Sequence, residues 1–187
     1  MNTVIVRKKN RLIKYDYSQS GWYFVTICTN HMRQWFGEVK DRKMILNISG
    51  KVVEMYWLKI SKHFPSVDID EFIIMPNHIH GIVIIRNVGA GFSRPKLGQI
   101  VGYFKYQTTK QINKLMNETE NLFSAELGRE MPKGLGRETR PLQIIKLQKI
   151  WQRSFYDHII RNEKSLNSIR RYIKFNAHKW EDDEYYL

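Results

Sequence analysis

Two histidines one residue apart, His78 and His80, stand in the run Met75-Pro76-Asn77-His78-Ile79-His80-Gly81-Ile82. The residues after them, Gly81-Ile82-Val83-Ile84-Ile85, are apolar and largely β-branched and read as a strand that the histidines open. Side chains alternate along a strand, so His78 and His80 project from one face and Ile79 from the other. Two imidazoles about 7 Å apart along the backbone can converge on one divalent cation. With only two nitrogen donors, such a site asks for a third polar ligand and keeps positions open for substrate. A cation held that way can act as a Lewis acid on a phosphate. Packing on a half-exposed strand, with no chemistry at all, accounts for a bare His-x-His pair at least as well. A third ligand from elsewhere in the chain separates the two readings.

A segment near the C-terminus offers one. Asn162 caps a helix expected from Glu163 to about Asn176, with Leu166, Ile169, Tyr172 and Ile173 on one face. Tyr172 and Asn176 are four residues apart and share a helical face. The first is a candidate nucleophile and the second a candidate oxygen ligand. Helical spacing alone also allows Tyr172 to be a core aromatic beside Ile169 and Ile173.

The elements that must position these groups follow from pattern. Trp22-Tyr23-Phe24-Val25-Thr26-Ile27-Cys28-Thr29, entered by Gly21, reads as a buried strand. Glu38-Val39 and Met44-Ile45-Leu46 read as a small hairpin. Ser49 is expected to cap a helix running to about His63, with Val52, Tyr56 and Ile60 on one face, and Pro65 stops it. Ile69 to Met75, Gly81 to Arg86 and Phe155 to Ile160 read as three further strands. Leu97 to about Met116 has the spacing of a helix through Ile100, Phe104, Thr108, Ile112 and Leu115. The stretch 117–149 has no readable period. The order strand, helix, strand, strand, helix, strand is the ferredoxin-like split βαβ arrangement. It predicts an α+β sandwich with an antiparallel sheet, helices on one side and an extra C-terminal helix carrying Tyr172.

Charge says what the chain meets. The 187 residues hold 31 Lys and Arg against 18 Asp and Glu, a net of +13. A polyanion, nucleic acid or an anionic membrane surface, is the natural partner of such a chain. The excess is not spread evenly: the arm 1–21 carries +4 and the segment 86–150 carries +7, while 22–85 and 151–187 carry +1 each. We therefore expect one domain over residues 1–187 with a basic arm (1–21) and a basic insertion (about 86–150). Arg94, Lys96, Lys105, Lys110 and Lys114 are its candidate phosphate contacts. The single cysteine, Cys28, excludes an internal disulfide and a Cys-rich zinc site and fits a cytoplasmic compartment. No apolar run nears the roughly 20 residues of a spanning helix, so no membrane role is expected.

Four motifs in order, Gly21-Trp22-Tyr23-Phe24-Val25-Thr26, Met75 to Ile82, Trp151-Gln152-Arg153-Ser154-Phe155-Tyr156-Asp157-His158-Ile159-Ile160-Arg161 and Arg171-Tyr172-Ile173-Lys174-Phe175-Asn176, resemble the IS200-like single-tyrosine HUH transposases. The REP-associated tyrosine transposase branch is the nearest likeness, and it spans roughly residues 15–180. The resemblance implies a Mg²⁺ or Mn²⁺ site on His78, His80 and Asn176. It makes Tyr172 the nucleophile that cleaves single-stranded or hairpin DNA at element ends, through a 5′-phosphotyrosine linkage and a free 3′-OH. Tyr103 and Tyr106 are the fallback nucleophiles, because in a dimeric relative the tyrosine follows the histidine strand. The superfamily includes both homodimers and monomers. The chain departs from the family in having Asn176-Ala177 where Asn-Pro is common, so its tyrosine helix can end differently. Two further readings stand beside the transposase. One is a binding protein of the same fold without catalysis. The other is a metal phosphodiesterase using activated water, for which Glu71 and Asp157 are the only nearby carboxylates.

Overall fold

The computed structural model describes residues 15–87, 94–127 and 147–186. Much of the expected basic arm and of the expected insertion lies outside these residues. Strand β1 (Gly21–Cys28) is the most continuously aromatic and β-branched run of the chain, and it takes an interior place in the sheet. It pairs antiparallel with β5 (His78–Ile85) on one side and with β6 (Tyr156–Ile160) on the other. Strand β4 (Val67–Ile74) pairs antiparallel with the far edge of β5, so the sheet order is β4-β5-β1-β6. A separate hairpin joins β2 (Gly37–Lys40) to β3 (Lys43–Leu46) through Asp41 and Arg42, both at positive φ, as a two-residue hairpin turn requires.

The alternation of β1 and β5 sorts the two faces. Tyr23, Val25, Ile27, Ile79, Val83 and Ile85 enter the main core. Against them pack Val53 and Trp57 of helix α1 (Ile48–Leu58), Ile60 of α2 (Ile60–His63), and Ile100, Phe104 and Ile112 of α3 (Leu97–Leu127). The opposite face is smaller. Ile82 and Ile160 are covered there by Leu166 and Ile173 of helix α4 (Glu163–Phe175). The result is the expected α+β arrangement: an antiparallel sheet, helices on one side, and the C-terminal helix on the other.

Several boundaries differ from the sequence reading. The cap of α1 is Asn47, whose side chain accepts from the Gly50 amide at 2.9 Å, and not Ser49. Asn47 is fixed there because its own amide and side chain both bind the preceding loop, at the carbonyls of Phe36 and Trp35. The expected single helix to His63 is divided at Lys59. Helix α3 runs on past Met116 to Leu127. Thr119 bonding the Leu115 carbonyl and the Lys114–Glu118 pair support the added turns, neither of which leaves a hydrophobic period. Strand β5 contains His78 and His80 within its paired length.

Packing requires a glycine at position 81. Trp57 lies flat under β5, and a Cβ on Gly81 would sit 2.3 Å from its Cζ2. Trp57 is fully buried and packed against Phe72 and Phe104. Gly81→Ala is therefore expected to destabilise the fold by about 1–3 kcal/mol, the usual cost of overpacking a filled core. A fall in the urea midpoint with an unchanged slope is the expected measurement, and an unchanged midpoint would refute this account of the contact.

Candidate active site

The register of β1 against β5 places Thr26 beside His80 and Cys28 beside His78, on the face of the sheet that α4 covers. The two imidazoles converge, with ring centroids 4.4 Å apart. Asn77 orients the first. Its side-chain amide donates to the Tyr185 carbonyl at 2.7 Å, so its Oδ1 is the end that accepts from His78 Nδ1, at 2.9 Å. That leaves His78 Nε2 a bare acceptor, buried and without a partner. His80 is bonded at both nitrogens, Nδ1 to Thr26 Oγ1 at 2.8 Å and Nε2 to the Tyr172 hydroxyl at 3.0 Å. Phe24 stacks on the His80 ring at 5.4 Å. Burial holds both imidazoles neutral: it pushes His80 down to about 3, and His78 falls well below its ordinary value through burial first and His80 second.

Tyr172 reaches the pair from α4. Its ring stays 44% exposed, so it is not the core aromatic that helical spacing also allowed; the buried neighbour is Ile173. Partial burial, then the charges of Asp183 and Glu184, push its phenol up to about 12, against a smaller opposing effect of the Asn176 side chain. Beside the phenol lies a cleft of about 630 Å³, lined among others by Arg171, Phe175 and Lys179.

Asp183 was missed by the sequence reading. After α4 the chain tightens into a 3-10 segment, Asn176–Asp182, with Ala177 and Trp180 packed on Met75 and with Val39 and Tyr185 against them. This turn carries Asp183 back to the histidines. One carboxylate oxygen and one nitrogen from each imidazole lie within 4.8 Å of one another. The Asn176 amide donates to Asp183 Oδ2 at 2.7 Å, and the Tyr185 backbone amide donates to Oδ1 at 2.8 Å. Asn176 Oδ1 is thereby left buried and unpartnered. Two nitrogen donors and a carboxylate, with two buried acceptors lacking any hydrogen-bond donor, fit a divalent cation. The only sequence signal for Asp183 was the acidic run Glu181 to Glu184, which reads as solvated surface.

No family model matches the chain. An uncharacterized protein of Haemophilus influenzae is 34% identical to it over 181 residues, 97% of this chain and 93% of that one. The two belong to one family. Among solved structures, a REP-associated tyrosine transposase bound to a REP hairpin matches with a TM-score of 0.57 at 19% identity, covering 91% of this chain and 73% of the other. The fold implied by the resemblance to IS200-like transposases is thus the fold of this family.

Within that fold the other candidates are separated from the site. Tyr103 stacks on His63 at 3.8 Å, and α3 packs on the face of the sheet remote from the histidines, so neither Tyr103 nor the exposed Tyr106 meets them. Asp157 pairs in register with Val25, whose side chain enters the main core, and Glu71 is paired with Lys174 at 3.0 Å. Neither carboxylate joins the donor set. Lys105 donates to the carbonyls of Gln152 and Ser154. Lys110 and Lys114 are exposed along an α3 groove that also includes Lys149 and Arg153, and Lys96 and Arg94 precede that helix. No helix of the described residues is long and apolar enough to cross a membrane.

The setting of α4 decides where Tyr172 points. A shift of register between Ile69 and Phe72 bulges β4 at Asp70 and Glu71. Arg170 grips Asp70 with two hydrogen bonds, Nε to Oδ1 at 3.0 Å and Nη2 to Oδ2 at 2.5 Å, and Lys174 holds Glu71 one turn on. The Arg170 hydrogen bonds keep the Asp70 carboxyl below its ordinary value. Asp70→Asn is expected to cost about 1.5–3 kcal/mol at pH 7. A depressed carboxyl stabilises above its unfolded pKa and loses that contribution as pH falls through the folded one. The gap between variant and wild type should thus close only below about pH 4. Chemical denaturation at pH 7 and at a series of lower pH values checks it, and a gap that does not narrow as pH falls below about 4 would refute the ionic account.

Proposed function

We propose that the chain is a metal-dependent single-strand DNA endonuclease and strand transferase of the IS200-like single-tyrosine type. The observation that carries this reading is the Tyr172 hydroxyl at 3.0 Å from His80 Nε2, beside the bare Nε2 of His78. A hydrolase that activates water has no use for a phenol there, and a mere binding protein has none for two buried imidazoles aimed at it. The shared fold with a transposase bound to a REP hairpin agrees with it.

His78, His80 and Asp183, with Asn176 beside them, would hold Mg²⁺ or Mn²⁺, which supplies positive charge at a scissile phosphate and offsets the carboxylates that hold the phenol up. His80 then needs the tautomer in which Nδ1–H donates to Thr26, and the Tyr172 hydroxyl gives up its bond to Nε2. The rest belongs to the chain's own groups. The Tyr172 oxygen attacks phosphorus while its proton leaves to solvent. The P–O bond to the 3′ oxygen breaks, that oxygen takes a proton from solvent, and a 5′-phosphotyrosine linkage and a 3′-OH result. Attack of a 3′-OH on that linkage reverses the step and joins strands. Arg171 and Lys179 line the cleft beside the phenol and suit the flanking phosphates. Lys96, Arg94, Lys105, Lys110 and Lys114 are assigned to the outer phosphates of a hairpin.

The test is a covalent species on a denaturing gel after incubation with labelled single-stranded hairpin DNA and Mg²⁺ or Mn²⁺. Tyr172→Phe should abolish it while leaving hairpin binding within about twofold, and cleavage persisting without an adduct would sink the tyrosine mechanism. Asp183→Asn should weaken Mn²⁺ binding by at least about tenfold in titration calorimetry, the scale of changes around metal ligands.

A further inference from the structure

Strand β6 inverts the usual order of a half-buried strand. Its acid, Asp157, is buried toward the main core, while the aromatic Tyr156 is 42% exposed on the other face. Register places Tyr156 beside Thr26 and His158 beside Phe24, on the same face as His80. Helix α4 covers Ile82 and Ile160 of that face and leaves Tyr156, His158 and Trp22, itself 42% exposed, to solvent. The uncovered aromatics adjoin the candidate nucleophile through one ring. Phe24 meets Tyr156 edge-on at 6.5 Å and Tyr172 edge-on at 6.1 Å. One exposed arginine, Arg161, directly follows the strand, while Arg153 before it belongs to the α3 groove.

We infer that this open part of the sheet is a stacking platform for unpaired bases of a single nucleic-acid strand, with Tyr156 as its central ring and Arg161 as a phosphate contact. Its place beside Tyr172 rests on the nuclease reading above. The chemistry favours this occupant over a protein. Exposed aromatic rings on a sheet offer a π-face to any base, and a neighbouring guanidinium offers charge to the backbone. A protein partner would be drawn instead to a continuous aliphatic patch, and here the exposed groups are aromatic rings on a strand that a cation, Arg161, follows. The platform selects single strands because bases in a duplex are already stacked on one another. It is indifferent to sequence, since no base edge is read.

The experiment measures fluorescence anisotropy of a labelled oligothymidylate, too simple to form a hairpin, in EDTA so that no metal contributes. Tyr156→Ala should weaken binding roughly 5- to 100-fold, the scale of one base–aromatic stack. Tyr156→Trp should bind within about twofold of wild type. The salt dependence should be unchanged in Tyr156→Ala, because the ring carries no charge, and shallower in Arg161→Ala. A duplex of the same length should not distinguish Tyr156→Ala from wild type. Wild-type affinity in Tyr156→Ala, or equal losses on duplex and single strand, would overturn the platform. Trp22→Ala gives a second reading of the same face if Tyr156→Ala melts early. Adduct formation separates the two proposals. A Tyr156 effect on oligothymidylate with no adduct from any hairpin leaves the platform standing and removes the nuclease. An adduct with no Tyr156 effect does the reverse.

Discussion

The site depends on the position of one strand. Strand β5 is interior to the sheet, hydrogen-bonded to β4 on one side and to β1 on the other. Its two histidines are consequently dry, and dry imidazoles cannot carry charge without large cost. A neutral pair keeps one lone pair free of a proton on each ring over the whole range in which a free histidine would titrate. The surrounding polar groups are arranged for that state. Asn77 fixes the first ring by its amide oxygen, and Thr26 meets the second. Neutrality here comes from burial, and orientation comes from hydrogen bonds.

Much of this was legible in the sequence, where local pattern decides local structure. The aromatic and β-branched run of β1, the alternation through His78 and His80, and the Asn162 cap of the tyrosine helix were all found where expected, to within a residue or two. What escaped was non-local. Asn47 outcompeted Ser49 because the loop before it, bonded to Asn47 by the Phe36 and Trp35 carbonyls, fixed the helix entrance. The extra turns of α3 rest on contacts between neighbours along the helix and bury nothing that shows as a period. The β4 bulge has no signature in Asp70-Glu71, which reads as two exposed acids until Arg170 and Lys174 arrive from one hundred residues later. Asp183 belongs to the same class. A short 3-10 segment, invisible to periodicity, reverses the chain and brings an apparently solvated acid to the histidines.

The two faces of the sheet divide the labour. One face, with α1 and α3 above it, holds the large aromatic core and places a basic groove on the outer surface of α3. The other face has little hydrophobic area, and α4 is fastened there by ion pairs as much as by Leu166 and Ile173. A lightly packed helix suits the role proposed for Tyr172, because little core has to be disturbed when it moves. The large core supplies the rigidity against which such movement is defined.

Gly81 and Trp57 join these two layers. The indole fills the volume that a side chain after His80 would need, so each residue dictates the size of the other. Neither position can drift alone. A larger residue at 81 calls for a smaller one at 57, and the hollow that such an exchange leaves would lie directly beneath the strand that bears the histidines. A change of size at Trp57 is therefore felt by the histidine strand, although the indole packs in the main core on the other face of the sheet.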